Sequence, residues 1–249
     1  MNNQTKSIWI VGGSTGIGYA LAKYWVNEGF QVYISARSQS TLEQVASSLG
    51  DLCVAVVADV TNQDSLSFAW HKVCADGLPS KVVYCSGNHH EMPAAEFNSD
   101  TCKSLMEVNY IGLCHLLDNV LSSYHDAGGQ IAVVSSLAGY RGLPKAAAYG
   151  ASKAAVINFC EALRVELQGS KVDLRLINPG FVRTPLTDKN EFEMPFLVEP
   201  DVAAKRISDG LNGSSFEIRF PRRFAYILAF MKMLPYSVYF PLVKRMTKQ

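Results

Sequence analysis

The chain has 249 residues, 48% of them apolar, with 23 basic and 22 acidic side chains and a formal net charge of +1. Length and apolar content allow one substantial core, as in a single large α/β domain. The near-neutral balance, with no long basic run in the first two hundred residues, lacks the electrostatic footprint of a nucleic-acid binder.

In chain order, short β-branched or apolar runs recur at Ile8–Val11, Gln31–Ser35, Cys53–Ala58, Lys81–Cys85, Gln130–Val134 and Val172–Ile177. Helices fit between them at Gly16–Asn27, Thr41–Leu49, Gln63–Cys74, Thr101–Tyr124 and Ala148–Leu167. Apolar strands alternating with helices predict a parallel sheet covered on both faces, hence a three-layer, doubly wound α/β fold of the Rossmann type. In the last of these helices Ala151, Ala155, Phe159, Ala162 and Val165 return every three or four residues, which predicts one buried face. No repeat, low-complexity tract or linker divides the chain, so residues 1–249 are expected to form one domain. The six cysteines include no CxxC pair and sit mostly in apolar runs, where a reduced thiol behaves as a small hydrophobe. The first residues, MNNQTKS, do not read as a secretory signal, and a reducing, cytoplasmic location is expected.

The stretch VGGSTGIGYA, residues 11–20, follows the first apolar run and precedes a helical segment. Strand, glycine turn and helix start make an anion site, because unpaired amides and the helix dipole face the ligand. The spacing Gly12-x3-Gly16-x-Gly18 departs from GxGxxG, and taken alone a tight turn explains it as well as a cofactor site does. Further on, Tyr149 and Lys153 form an i, i+4 pair at a helix start, projecting from one face. Tyrosine titrates near pH 10, and bringing it to neutrality takes about 4 kcal/mol of differential stabilisation, within reach of a desolvated neighbouring cation. The pair therefore suits acid–base chemistry.

With these pieces assembled, the sequence resembles the short-chain dehydrogenase/reductase family, in its single-domain group of this length, from Ile8 to about Thr184. The matching motifs fall in family order: GxxxGIG at Gly12–Gly18, ADV at Ala58–Val60, VNYIG at Val108–Gly112, VVSS at Val133–Ser136, YxxxK at Tyr149–Lys153 and NPGFVRT at Asn178–Thr184. The resemblance implies a catalytic tetrad of Asn109, Ser136, Tyr149 and Lys153. Ser136 is chosen over Ser135 because the family's serine precedes its tyrosine by thirteen residues. Tyr149 would be the general acid or base, Ser136 would bind the substrate oxygen, Lys153 would hold the nicotinamide ribose and lower the tyrosine pKa, and Asn109 would position a water.

For the cofactor the resemblance implies contacts from Gly12, Ser14, Thr15, Gly16, Ile17 and Gly18 to the pyrophosphate, and from Asp59 and Val60 to the adenine. Gly87, Pro179, Gly180, Val182 and Thr184 would line the ribose and carboxamide, beside Asn109, Tyr149 and Lys153. Where an acidic residue would select NAD, the second strand ends in SARS, and Arg37 with Ser38 suits a 2′-phosphate, so NADP(H) is expected over NAD(H). The implied activity is carbonyl–alcohol interconversion by a homodimer or homotetramer. A non-catalytic dinucleotide sensor on the same fold is the alternative.

Two segments depart from the pattern. Tyr84–Gly87 reads YCSG where polar residues are common in the family, and Asn88–Glu91 reads NHHE, which is expected to border the substrate cleft rather than hold a metal. Residues 186–200 mix charges with Phe192, Met194, Phe196 and Leu197, as a cover over an apolar pocket would, and point to an apolar carbonyl substrate. The tail, residues 219–249, holds seven basic residues and no acidic one, so the rest of the chain carries −6. Its apolar stretch is too interrupted to span a bilayer. A helix packed on the domain through Phe224, Ile227, Leu228 and Met231 is favoured over one lying on a membrane surface.

Overall fold

The computed structural model describes residues 6–187 and 194–246. Among them, one sheet is built from β1 (Ser7–Val11), β2 (Gln31–Ser35), β3 (Cys53–Ala55), β4 (Lys81–Tyr84), β5 (Gly129–Val134), β6 (Val172–Pro179) and β7 (Glu217–Phe220). Its order is β3-β2-β1-β4-β5-β6-β7, with every neighbouring pair parallel. This is the Rossmann-type doubly wound sheet, and strand order reverses between β1 and β4, where such sheets open a crevice.

The pleat sorts the strands' side chains into two cores. Trp9, Val11, Val82, Tyr84, Ile131 and Val133 meet α3 (Gln63–Val73), α5 (Gly112–Ala127) and α6 (Ala147–Glu166) on one face. Ile8, Ile10, Val83, Ala132 and Val134 meet α1 (Gly16–Asn27), α2 (Gln39–Leu49) and α7 (Pro200–Leu211) on the other. Burial on both sides explains why these strands read as continuous apolar runs. The indoles that reach the cores stay bonded: Trp9 Nε1 donates to Ser35 Oγ at 2.9 Å and Trp25 Nε1 to Ser208 Oγ at 3.2 Å.

Several expectations need correction. The strand expected over Cys53–Ala58 ends at Ala55, although the amides of Val56 and Ala58 still bond to the carbonyls of Ile34 and Ala36. The helix expected over Thr101–Tyr124 is α4 (Ser99–Met106) and α5 joined by a π-helical turn, Glu107–Ile111. On α6 the expected stripe is only half covered: Ala155 and Phe159 are partly buried, with Phe159 packed on the core, but Ala151 and Ala162 are exposed and Val165 is 65% exposed. The buried face instead carries Ala148, Ser152, Lys153, Val156, Ile157 and Cys160. Small side chains give a weak amphipathic signal, and the polar Ser152 and Lys153 disguise the inner face. All six cysteines are free, two of them buried and four partly buried.

After β7 the tail forms α8 (Arg222–Met233) and α9 (Tyr236–Met246). Ala225, Leu228, Met231, Tyr239 and Val243 bury against Leu137, so the tail packs on the domain. Ile227, expected in that stripe, is 44% exposed and Ala225 takes its place. Arg141 secures the junction: its Nη1 donates to the carbonyls of Met231 at 2.6 Å, Lys232 at 3.0 Å and Leu234 at 2.6 Å. The same guanidinium lies 3.8 Å from the Tyr239 ring centre, and Tyr239 donates to the Gly142 carbonyl. No helix among the described residues is long and apolar enough to cross a membrane.

Candidate active site

A cleft of about 410 Å³ crosses the carboxyl ends of the strands at the β1/β4 reversal. The glycine turn forms its floor. Gly12 has φ +91°, and a Cβ there would sit 2.6 Å from the Ser86 amide nitrogen; one at Gly18 would fall 2.0 Å from the Gly12 carbonyl oxygen. Only glycines let the turn fold against its neighbours this closely. Thr15 starts α1 without a side-chain cap, so the first-turn amides beside Ser14, Thr15, Gly16 and Ile17 face the cleft.

The cleft brings together nearly all the expected residues. Arg37, exposed, borders it beyond β2; Asp59 and Val60 follow β3; Gly87 follows β4; Pro179, Gly180, Val182 and Thr184 follow β6. Asp59 is held by Thr61, whose amide and hydroxyl donate to Oδ1 at 2.9 and 2.8 Å. Two expected residues do not line it. Ser38 caps α2, its Oγ accepting from the Thr41 amide, and Asn109 stands behind Gly87.

Ser136, Tyr149 and Lys153 meet at the β5 end of the cleft. Ser136 follows β5 and its Oγ accepts from the Ala138 amide at 3.1 Å, which fixes the hydroxyl at the cleft wall. Ser135 also borders the cleft, but its Oγ is committed, donating to the Lys153 carbonyl at 2.9 Å. Tyr149 and Lys153 share one face of α6, with Nζ 5.9 Å from the ring centre. Lys153 is 4% exposed and donates to the Val134 carbonyl at 3.1 Å.

Burial sets the charges here. It lowers Lys153 to about 8, with Cys85 opposing slightly. Tyr149 was expected to be lowered by the ammonium; it is raised, because desolvation outweighs the hydrogen bond from Ser136 that pulls it down. At neutral pH the phenol therefore keeps its proton and is a donor, while the lysine is still charged.

Asn109 lies in the π-helical turn, a feature often found at functional sites. Its Nδ2 donates to Ser152 Oγ at 2.8 Å and to the Asn88 carbonyl at 3.0 Å, and Oδ1 accepts from the Asn88 amide at 2.7 Å. A Cβ on Gly87 would lie 3.3 Å from both Asn109 Oδ1 and Lys153 Nζ. Asn109 thus ties the loop after β4 to the face of α6 that carries the tyrosine and lysine. Two supports escaped the sequence reading. Ser152, three residues after Tyr149, donates its hydroxyl hydrogen bond to the Tyr149 carbonyl at 2.8 Å. Tyr84, which replaces a polar residue of the family pattern, donates to the Val108 carbonyl at 2.6 Å and so braces the π turn from β4.

The NHHE segment does border the site: the His89 ring packs edge-on to Tyr149 at 4.6 Å, and Glu91 pairs with Lys145 at 3.3 Å. Among the described residues no group of three metal-ligating side chains converges. Of the expected cover, residues 188–193, including Phe192, lie outside the described residues. Beyond them Val198 bridges to Val182, and Phe196 stacks on Phe224 at 5.9 Å and Phe224 on Phe181 at 5.8 Å, none of the three phenylalanines lining the cleft itself.

The short chain dehydrogenase family model matches residues 6–194. An uncharacterised oxidoreductase of Myxococcus xanthus is 32% identical over 242 residues, covering 95% of this chain and 96% of its own. A short chain dehydrogenase from Burkholderia cenocepacia, solved in complex with NADP, superposes with TM-score 0.84 at 22% identity over the whole of both chains. A relative from Burkholderia phymatum, solved with NAD, does so with TM-score 0.81 at 19% identity, covering 92% of this chain and 93% of that one. The glycine turn, the serine after β5 and the tyrosine–lysine face of α6 fall inside the matched span, and the chain belongs to the short-chain dehydrogenase family of NAD(P)-dependent oxidoreductases.

Proposed function

We propose that the protein interconverts a carbonyl compound and an alcohol with NADP(H), with Tyr149 as the proton-transferring residue. The observation that carries this reading is the meeting of Ser136, Tyr149 and buried Lys153 in one cleft with the glycine turn. The residues fit a dinucleotide: uncapped amides at the start of α1 suit a pyrophosphate, and Arg37 suits a 2′-phosphate. Among the described residues Arg37 forms no ion pair, so its charge is open to such a ligand. The bound nicotinamide supplies or accepts the hydride.

In the reductive direction Tyr149 donates its proton to the substrate oxygen, and in the oxidative direction it takes the proton back. Ser136 donates a hydrogen bond to the same oxygen as charge develops on it. Lys153, one turn along α6, would hold the ribose hydroxyls of the bound cofactor, and its charge stabilises the phenolate left after transfer. Asn109 keeps this face in register with the loop at Gly87. Pro185 and Leu186 in the cleft wall favour an apolar substrate.

Tyr149→Phe tests the reading once a turnover assay is found by screening aldehydes, ketones and alcohols against NADPH or NADP. The substitution should lower kcat by about 10²–10⁴ and leave the NADPH Kd unchanged. Equal turnover by the two proteins would sink the mechanism. A dinucleotide sensor would bind NADPH and turn over nothing in either form.

A further inference from the structure

The tail leaves a second surface that the cleft does not use. On α8 the residues opposite the buried stripe of Ala225, Leu228 and Met231 are Tyr226, Phe230 and Met233, which are 59%, 60% and 75% exposed. At 100° per residue these three, with Arg222 and Arg223, fall within one quadrant or so of the helix circumference. Beyond the turn, Tyr236 and Phe240 stack at 5.3 Å on one flank of α9 and are 68% and 62% exposed, while Val238 and Leu242 line the other. Lys244 and Arg245 lie in the last turn of α9. Neither helix carries an acidic residue.

We infer that α8 and α9 form a membrane-surface docking element for anionic lipid. Large aromatic and aliphatic side chains exposed on both helices, with cations in the first turn of α8 and the last turn of α9 and no acidic residue between them, match interfacial helices whose apolar side chains enter the headgroup boundary. Neither helix is long enough to span, so the contact lies in the interface plane. A second copy of the chain fits less well. A two-fold contact would set this cationic face against itself with no carboxylate to pair, and a contact with the acidic remainder of another copy would be head-to-tail and would not close as a dimer. The inner face is already committed to the domain through Arg141 and Tyr239, which leaves the outer one to the lipid. The inference stands apart from the proposed reaction, since none of these residues lines the cleft.

Co-sedimentation of the full chain with vesicles tests it. The wild type should pellet with equimolar phosphatidylcholine–phosphatidylglycerol vesicles, stay in the supernatant with phosphatidylcholine alone, and be released by salt. The double variant Arg222→Gln, Arg223→Gln should lower the partition coefficient roughly thirtyfold. Phe230→Ser with Phe240→Ser should abolish pelleting. All four positions are exposed, and unchanged circular dichroism and melting temperature would establish that both variants fold. Equal pelleting with the two vesicle types, no pelleting, or insensitivity to either variant would overturn the inference. So would a wild-type dimer in light scattering that Phe230→Ser with Phe240→Ser converts to monomer, because the face would then belong to a second copy.

Discussion

Lys153→Met should make the protein more stable and remove its proposed activity. The lysine is 4% exposed and burial brings its pKa from 10.5 to about 8. At pH 7 the folded state therefore holds the ammonium at a cost of about 3 kcal/mol relative to the unfolded chain. Methionine keeps the length and the packing but gives up the bond to the Val134 carbonyl, about 1 kcal/mol. The net gain is about 2 kcal/mol, a rise in Tm of about 4–8 °C for a chain of this size. The sign with pH follows from the depressed value: between about 8 and 10.5 the unfolded chain binds more protons, so wild-type stability rises across that window. Urea unfolding of both proteins at pH 7 and pH 9.5 should show the gap narrowing to under about 1 kcal/mol at the higher pH. A variant less stable than wild type at pH 7, or a gap that does not change with pH, would refute the argument that Lys153 is a desolvated cation.

Arg37→Ala should weaken NADPH roughly ten- to a hundredfold by fluorescence titration and leave NADH unchanged, and equal losses for the two would remove Arg37 from phosphate recognition. Tyr84→Phe leaves the Val108 carbonyl without its 2.6 Å partner, so the denaturant midpoint should fall by the equivalent of about 1–2 kcal/mol; an unchanged midpoint would mean that the hydroxyl does not brace the π turn.

The sheet was readable because parallel strands covered on both faces must be continuously apolar, and six of the seven strands announced themselves in this way. The edge strand β7 did not: Glu217–Phe220 alternates polar and apolar over four residues, too short a run to stand out. The alanine stripe on α6 misled for a related reason. Periodicity locates a face, but the inner face of this helix is chosen by what Lys153 and Ser152 must reach, and polar residues are invisible to a hydrophobic pattern. Cleft residues were legible through motif spacing, since Ser136, Tyr149 and Lys153 do meet there. Their charges were not, because desolvation belongs to the folded surroundings: the ammonium expected to lower Tyr149 is itself weakened by burial. Tyr84 read as the loss of a polar brace, yet its hydroxyl supplies another from the same strand end.

Arg141 stands five residues after Ser136, and its guanidinium grips three carbonyls at the end of α8. One guanidinium nitrogen shared among three carbonyls, with the group stacked on a ring, holds the end of α8 against the segment after β5. The end of α8 therefore keeps a constant bearing relative to the serine hydroxyl. A spin label on α8 would report the tilt of the β5 end without entering the cleft, and any surface that captures α8 sets the direction in which the cleft mouth looks.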